Sequence, residues 1–149
     1  MLALAGVADP GNAGTLVRAA EAAGAVGLCV VGEGVDPLAP KTVRSSAGSV
    51  FRLPVESLSV ESFRRRLIGT SSTVWGAVAV GGRPHTEAPL GEAPVVVLGH
   101  ERHGIPEELG ITNWLSIPMA GGPESLNVAM AGTVIVFEAA RQRRNGRGR

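Results

Sequence analysis

Short apolar runs recur along the chain and alternate with segments of helical periodicity. In chain order they read LALAGVA, GLCVV, FRLPV, TVWGAVAV, PVVVLG and WLSIP. Apolar runs of about four to eight residues, separated by helical segments, are typical of buried strands in a parallel sheet. The pattern therefore predicts an α/β fold in which helices flank a parallel sheet.

The first helix is predicted directly after the first apolar run. Four of its apolar residues share one helical face, namely Leu16, Ala19, Ala20 and Ala23. Asn12 stands at N-cap distance before this face, and Gly24 can end the helix. A second helix is expected near residues 60 to 68.

The last helix is predicted from Leu126 to Arg144 and is apolar almost all round. One stripe consists of Leu126, Met130, Val134 and Phe137, and the flanking positions are Val128, Ala131, Ile135 and Ala139. Such a helix must be covered on every side. We expect a second subunit, related by a two-fold axis, to cover part of it. The alternative is a central helix that the chain's own sheet surrounds.

The length of 149 residues suits one domain, and no linker or repeat divides the chain before its basic end. Cys29 is the single cysteine and lies in an apolar run, which favours a reducing, cytoplasmic location. No apolar run approaches the roughly 20 residues that a membrane span needs, and the first residues lack a basic leader. We therefore expect no membrane association.

The formal net charge of +1 conceals an asymmetry along the chain. Five arginines fall in the last nine residues, RQRRNGRGR, which leaves nine basic against 13 acidic residues elsewhere. A basic end on an acidic body is able to contact nucleic acid. The alternative is a solvated, frayed terminus, and residues 145–149 are expected to be disordered.

Three glycine-containing segments follow predicted strands and carry most of the polar chemistry. We call them loop 1 (residues 9–20, DPGNAGTLVRAA), loop 2 (residues 95–108, VVVLGHERHGIPEE) and loop 3 (residues 117–132, IPMAGGPESLNVAMAG). The carboxyl ends of parallel strands meet at one edge of a sheet, where α/β proteins bind ligands. Gly11 and Gly14 would let the backbone approach such a ligand, and the helix start would favour an anion. The three loops therefore predict a shared pocket.

Simpler interpretations of the polar residues remain open at this point. Asn12 could only cap its helix, and Arg18 could pair with Glu21. Ser125 could cap the last helix, and loop 2 could be an ordinary charged surface loop. Loop 1 lacks the third glycine of a dinucleotide fingerprint. His100 and His103 have no third ligand nearby, so no metal site is predicted.

Together the loops resemble the three sequence motifs of the SpoU/TrmH family of the SPOUT superfamily. The matching stretches are DPGNAGTLVRAAEAAGA, LGHERHGIPEE and IPMAGGPESLNVAMAGTVIVFEAARQR. The stretch APKTVRSSAGSVFRLPV, residues 39 to 55, is similar to the family's segment between the first two motifs. The resemblance covers nearly the whole chain in order and assigns residues 1–144 to one methyltransferase domain.

The resemblance implies transfer of a methyl group from S-adenosyl-L-methionine to a ribose 2′-hydroxyl in RNA. We expect rRNA as the substrate, with tRNA as the second choice. It also implies a homodimer and a deep trefoil knot near the carboxyl end. Residue reasoning alone would give an unknotted sheet, because knots are rare. The alternatives are a non-catalytic relative that binds RNA or cofactor, and an oxidoreductase, which the missing fingerprint disfavours.

Site residues follow from the resemblance position by position. The implied cofactor-binding residues are Leu98, Gly99, Ile117, Met119, Leu126 and Asn127, and the implied catalytic residues are Asn12, Arg18, Glu101, Ser125 and Asn127. A guanidinium is not deprotonated in proteins, so Arg18 is expected to grip phosphate and stabilise alkoxide charge rather than act as a base. Glu101 is the alternative proton acceptor, or it orients Asn12 or Arg18. Methylation of a base through Cys29 is disfavoured, because that residue lies far from every motif.

Overall fold

A computed structural model of the chain describes residues 1–121 and 125–146. The strands are β1 (Leu2–Ala5), β2 (Leu28–Val31), β3 (Val55–Leu58), β4 (Val74–Ala77), β5 (Arg83–Pro84), β6 (Val95–Gly99) and β7 (Asn113–Ser116). The α-helices are α1 (Pro10–Ala22), α2 (Pro40–Ser45), α3 (Val60–Ile68) and α4 (Val128–Gly146), with 3-10 turns at Ser49–Phe51 and Glu107–Leu109. No helix among these residues is long and apolar enough to cross a membrane.

The strands form one sheet in the order β3-β2-β1-β6-β4-β7-β5, and the neighbouring strands in it pair in parallel. This confirms the predicted parallel α/β fold. Strand β6 is inserted between β1 and β4, so that Ala5 pairs with Gly99 at their carboxyl ends. Loops 1 and 2 therefore leave the sheet side by side.

The two faces of the sheet are both buried, which explains why the strands are apolar throughout. On β1, Leu2 and Leu4 belong to the core layer under α1 and α4, whereas Ala3 and Ala5 belong to the opposite layer. That second layer contains Phe63 of α3. Because side chains alternate along a strand, each four-residue strand serves both layers.

Two glycines allow the helices of the first layer to pack closely. A Cβ on Gly14 would overlap the Ser45 hydroxyl of α2, and a Cβ on Gly132 would overlap Leu16 of α1 and lie 2.6 Å from a methyl carbon of Leu98. The expectation that Gly14 gives a ligand access to the backbone is therefore wrong. Its role is helix packing.

Several element boundaries differ from the sequence predictions. The run FRLPV is not a strand, because its start belongs to the 3-10 turn at Ser49–Phe51 and β3 begins only at Val55. The last helix begins at Val128 rather than Leu126. It also includes residues 145 and 146, so the predicted disordered tail is helical in that part. The remaining tail residues, 147–149, lie outside the described residues, as do residues 122–124 of loop 3.

Candidate active site

A cavity of about 290 Å³ lies at the carboxyl ends of β4, β6 and β7, and its volume is close to the lower end of the usual range for small-molecule sites. Its walls come from the strand ends, from loops 2 and 3 and from the first turns of α4. The main apolar contributors are Ala77, Leu98, Ile105, Leu115, Ile117, Val128 and Ile135. Hydrophobic walls with a few polar groups at the rim are typical of ligand pockets.

Most of the predicted cofactor residues line this cavity. They are Leu98, Gly99, Ile117, Met119 and Leu126. Of the predicted catalytic residues, Glu101 and Ser125 also line it. Asn127 is not among the lining residues, and its side chain forms hydrogen bonds with the first turn of α4 and with Asn12 of loop 1. The structure thus brings together residues from loops 2 and 3 around one space.

A chain of side-chain hydrogen bonds joins the three loops at the mouth of the cavity. The Asn127 amide nitrogen donates to Oδ1 of Asn12 over 3.1 Å. The Asn12 amide nitrogen in turn donates to Oε1 of Glu101 over 2.9 Å. We call these three residues the amide relay. It fixes which way both amides face, because a carboxylate only accepts hydrogen bonds.

The cap of α4 is Asn127 rather than Ser125. Its Oδ1 accepts hydrogen bonds from the backbone N–H groups of Ala129 and Met130, at 2.9 and 3.2 Å. Asparagine is among the best N-cap residues, because its side-chain oxygen satisfies first-turn donors that otherwise lack a partner. The alternative in which Ser125 caps this helix is therefore wrong, and Ser125 lines the cavity instead.

The start of α1 also differs from the simplest expectation. Asp9 is its N-cap, and its carboxylate accepts the backbone N–H of Asn12 over 2.8 Å. The negative charge of Asp9 lies at the positive end of the helix. Asn12 is therefore inside the first turn, and its side chain is available for the amide relay. The positive end of this helix is already occupied by the Asp9 carboxylate.

The backbone conformation of loop 2 itself requires glycine at position 99, whether or not a ligand binds. After β6 the chain turns back, and His100 and Gly104 exchange two backbone hydrogen bonds of 2.9 Å. A Cβ on Gly99 would overlap the backbone of Gly104 and lie 2.6 Å from the nitrogen of Ile105. The cavity rim is thus built on a tight backbone turn that only glycine at position 99 permits.

Arg18 lies on α1, exposed to solvent and not among the residues that line the cavity. Its expected alternative partner, Glu21, is instead held by Arg52 in two hydrogen bonds, from Nε and Nη2. The hydrogen bond from Arg52 lowers the pKa of Glu21. Within residues 1–121 and 125–146, no ion pair of Arg18 is found.

One wall of the cavity was missed by reasoning from the sequence. Ala77, Val78 and Ala79 line it. These residues belong to the run TVWGAVAV, which was predicted to be a strand over its whole length. Strand β4 in fact ends at Ala77, because it pairs with β6 and β7 only up to that point. The position of β4 next to β6 was the missing information.

The possible metal ligands and the single thiol lie as follows. In the described part of the chain, no three histidine, cysteine, aspartate or glutamate residues form a group that could hold a metal ion. Cys29 is buried in the layer that contains Phe63, on the other face of the sheet from Leu98 and Val128. Burial raises the pKa of the Cys29 thiol to about 12.

A comparison with protein families matches residues 1–137 to the SpoU rRNA Methylase family. A relative from Streptomyces viridochromogenes, a 23S rRNA (uridine(2479)-2′-O)-methyltransferase, is 37% identical over 93% of this chain and 51% of its own length. The chain spans about half the length of the curated relatives it matches.

Solved structures agree with this similarity. An AdoMet-bound rRNA methyltransferase from Sinorhizobium meliloti superposes with a TM-score of 0.87 and 39% identity, over 94% of this chain and 55% of the other. A structure concerned with the 2-OH methylation of C/U34 on tRNA superposes with a TM-score of 0.86 and 31% identity, over 99% of this chain and 96% of the other.

Proposed function

The chain belongs to the SpoU rRNA methylase family, and from that premise we propose that it transfers the methyl group of S-adenosylmethionine to a ribose 2′-hydroxyl in RNA. The observation that carries the proposal is the joining of loops 1, 2 and 3 at one cavity by the amide relay. The AdoMet-bound structure of similar fold supports the choice of cofactor.

The residues at the cavity fit this cofactor. An adenosine needs apolar walls, which Leu98, Ile117 and Leu126 provide, and backbone polar groups at close range, which the turn after Gly99 provides. The bound sulfonium supplies an electrophilic methyl group, so the protein needs neither a covalent nucleophile nor a metal ion. We propose that these residues, with Met119 and with Asn127 at the rim, form the cofactor site.

The side chains at the mouth would orient the RNA and assist departure of the hydroxyl proton. We assign to Arg18 the binding of a phosphate next to the target ribose and the stabilisation of charge on its 2′-oxygen. Its exposed position on α1 suits contact with a macromolecule. Holding two reactants in line can supply about 7–11 kcal/mol of barrier reduction.

The main role that we propose for Glu101 is to orient the Asn12 side chain. Its Oε1 accepts the hydrogen bond of that amide, and this contact favours a positioning role over proton abstraction by the same oxygen. Ser125, exposed at the cavity, is proposed to contact the substrate or the cofactor through its hydroxyl.

Ribosomal RNA is the proposed substrate, supported by the family and by the Streptomyces relative, with tRNA as the second candidate because of the tRNA-related structure. The competing function is a non-catalytic relative that binds RNA or cofactor. Incubating the protein with labelled S-adenosylmethionine and total RNA tests both. Label in 2′-O-methyl nucleosides is the expected result, and cofactor binding without transfer would favour the competitor.

We also propose a homodimer, with α4 at its interface. Met130, Val134 and Phe137 lie on one side of this helix and are 61%, 40% and 44% exposed. Large apolar side chains in a row are typical of a surface that another subunit covers. The basic residues at the end of this helix would then lie close to the same interface.

The remaining assignments rest on the family. We propose that residues 1–144 act as one methyltransferase domain and that the chain near loop 3 forms a trefoil knot. A cytoplasmic location is proposed because the substrate is RNA and the single cysteine is a free, buried thiol.

A further inference from the structure

His100 occupies a position in loop 2 that the proposed mechanism does not use. It follows the last residue of β6 and precedes Glu101, the end of the amide relay. Its Nδ1 accepts the backbone N–H of Arg102 over 2.9 Å and, more weakly, that of His103 over 3.4 Å. An imidazole nitrogen that accepts two N–H groups carries no proton, so the hydrogen of the neutral ring is on Nε2.

These bonds close a turn whose one exposed acidic side chain is that of Glu101. Backbone hydrogen bonds between His100 and Gly104 fix both ends of the turn. The imidazole fixes its interior, in the way that an asparagine side chain stabilises a turn through N–H groups two and three residues further on. Gly6, directly after β1, allows His100 to lie close to it, since a Cβ there would lie 3.3 Å from Cβ of His100.

We propose that His100 is a positioning residue, whose unprotonated Nδ1 holds the turn of residues 100–104 so that the carboxylate of Glu101 reaches Asn12. The expected effect of His100 on turnover rests on the proposed function. The expected effect of His100 on the turn does not. Without the acceptor, the N–H groups of Arg102 and His103 lose their partner and the turn loosens. Glu101 then no longer fixes the orientation of the Asn12 amide.

The test compares His100→Asn with His100→Ala, and uses His103→Ala as a matched control. Asparagine keeps an acceptor oxygen close to the position of Nδ1, whereas alanine removes it. His103→Ala removes the ring that lies 4.6 Å from the His100 ring but keeps the backbone N–H donor. Thermal unfolding of all three variants confirms that they fold.

We expect kcat to fall roughly 10- to 100-fold in His100→Ala, because small misplacements of a site can cost about 100-fold. The cofactor Kd should change much less than kcat. His100→Asn should recover most of kcat, and His103→Ala should stay near the natural protein. Equal loss of kcat in His100→Asn and His100→Ala would overturn the proposal.

A second measurement does not depend on activity and separates this inference from the proposed function. Nitrogen-15 NMR of the His100 ring should show Nδ1 without a proton and Nε2 with one. Amide exchange of Arg102 and His103 should be slow in the natural protein and in His100→Asn, and fast in His100→Ala. A protonated Nδ1 would overturn the inference, whereas absence of methyl transfer by the natural protein with these NMR results intact would overturn only the function.

Discussion

Asn127 donates a hydrogen bond of 3.1 Å to Asn12, although 115 residues separate them in the chain. The same Asn127 side chain caps α4 through its oxygen. One amide therefore fixes both the start of α4 and the orientation of the Asn12 side chain on α1. Each of its two functions can be removed separately by mutation.

Asn127→Asp should keep the cap and lose the relay. A carboxylate still accepts the N–H groups of Ala129 and Met130, but it cannot donate to Asn12. Turning the Asn12 amide would only place its oxygen against Glu101, so either orientation leaves two acceptors facing each other. We expect kcat to fall at least about tenfold, because the Asn12 amide is no longer held in one orientation and misplacement within a site can cost about 100-fold. The melting temperature should exceed that of Asn127→Ala, because the N-cap is kept.

Asn127→Ala is the matched comparison and should lose both functions. Loss of an N-cap costs about 1 kcal/mol, which corresponds to roughly 2–4 °C in melting temperature for a chain of this size. Thermal unfolding and single-turnover methylation measure the two effects. Natural activity in Asn127→Asp would show that the bond to Asn12 has no catalytic role.

Arg18→Ala should abolish turnover and leave cofactor binding nearly intact, because Arg18 does not line the cavity. Removing one group that stabilises transition-state charge typically costs about 100- to 1000-fold in kcat. Calorimetric titration with S-adenosylmethionine, beside a methylation assay, separates the two quantities. Arg64→Ala, at an exposed arginine of α3, is the control that should change neither. A large loss of cofactor affinity in Arg18→Ala would contradict the assigned role.

Gly99→Ala should destabilise the protein even without any ligand, because the new Cβ would overlap the backbone of the loop 2 turn. Overpacking of this kind typically costs about 1–3 kcal/mol. Urea unfolding gives the change in free energy, and cofactor titration gives the accompanying loss of affinity. Gly146→Ala is the matched control, since a Cβ there meets no atom within 4 Å. Equal unfolding curves for Gly99→Ala and the natural protein would disprove the packing argument.

Cys29 should be inert toward thiol reagents in the folded protein. Its pKa of about 12, against an ordinary value of 9.0, lowers the thiolate fraction at pH 8 by about three orders of magnitude. Burial in β2 slows access further. Ellman's reagent should therefore react at a normal rate only after denaturation, and Cys29→Ala should retain methyl transfer. Rapid labelling of the folded protein would indicate that β2 opens.

Phe137→Glu should convert the proposed dimer to monomers. It places a charge within the exposed apolar row of α4, where a partner subunit would exclude water. Ile68→Glu is the control, because Ile68 is 83% exposed on α3, which packs on the opposite face of the sheet from α4. Sedimentation velocity distinguishes the species. A monomeric natural protein, or a Phe137→Glu variant that remains dimeric, would exclude α4 as the interface.

The sequence by itself determined the fold class and predicted that the three loops lie close together, which the amide relay bears out. Apolar runs with helical segments between them specify a parallel sheet, since the spacing of apolar positions is a local property of the chain. The helix over residues 60–68 was also correct, because Ser59 caps it and its amphipathic pattern is short-range. Leu98, Ile117 and Leu126 were placed at the cavity through the family's motifs.

The tertiary structure decided what each polar residue contacts. Strand β6 lies between β1 and β4, an order that no local pattern encodes, and only this order brings Glu101 to Asn12 and Val78 to the cavity. The same holds for Gly14, whose lack of a side chain permits the close packing of α1 on α2. Local periodicity reports how a residue is buried, whereas its partner depends on chain segments that are distant in sequence and adjacent in the sheet.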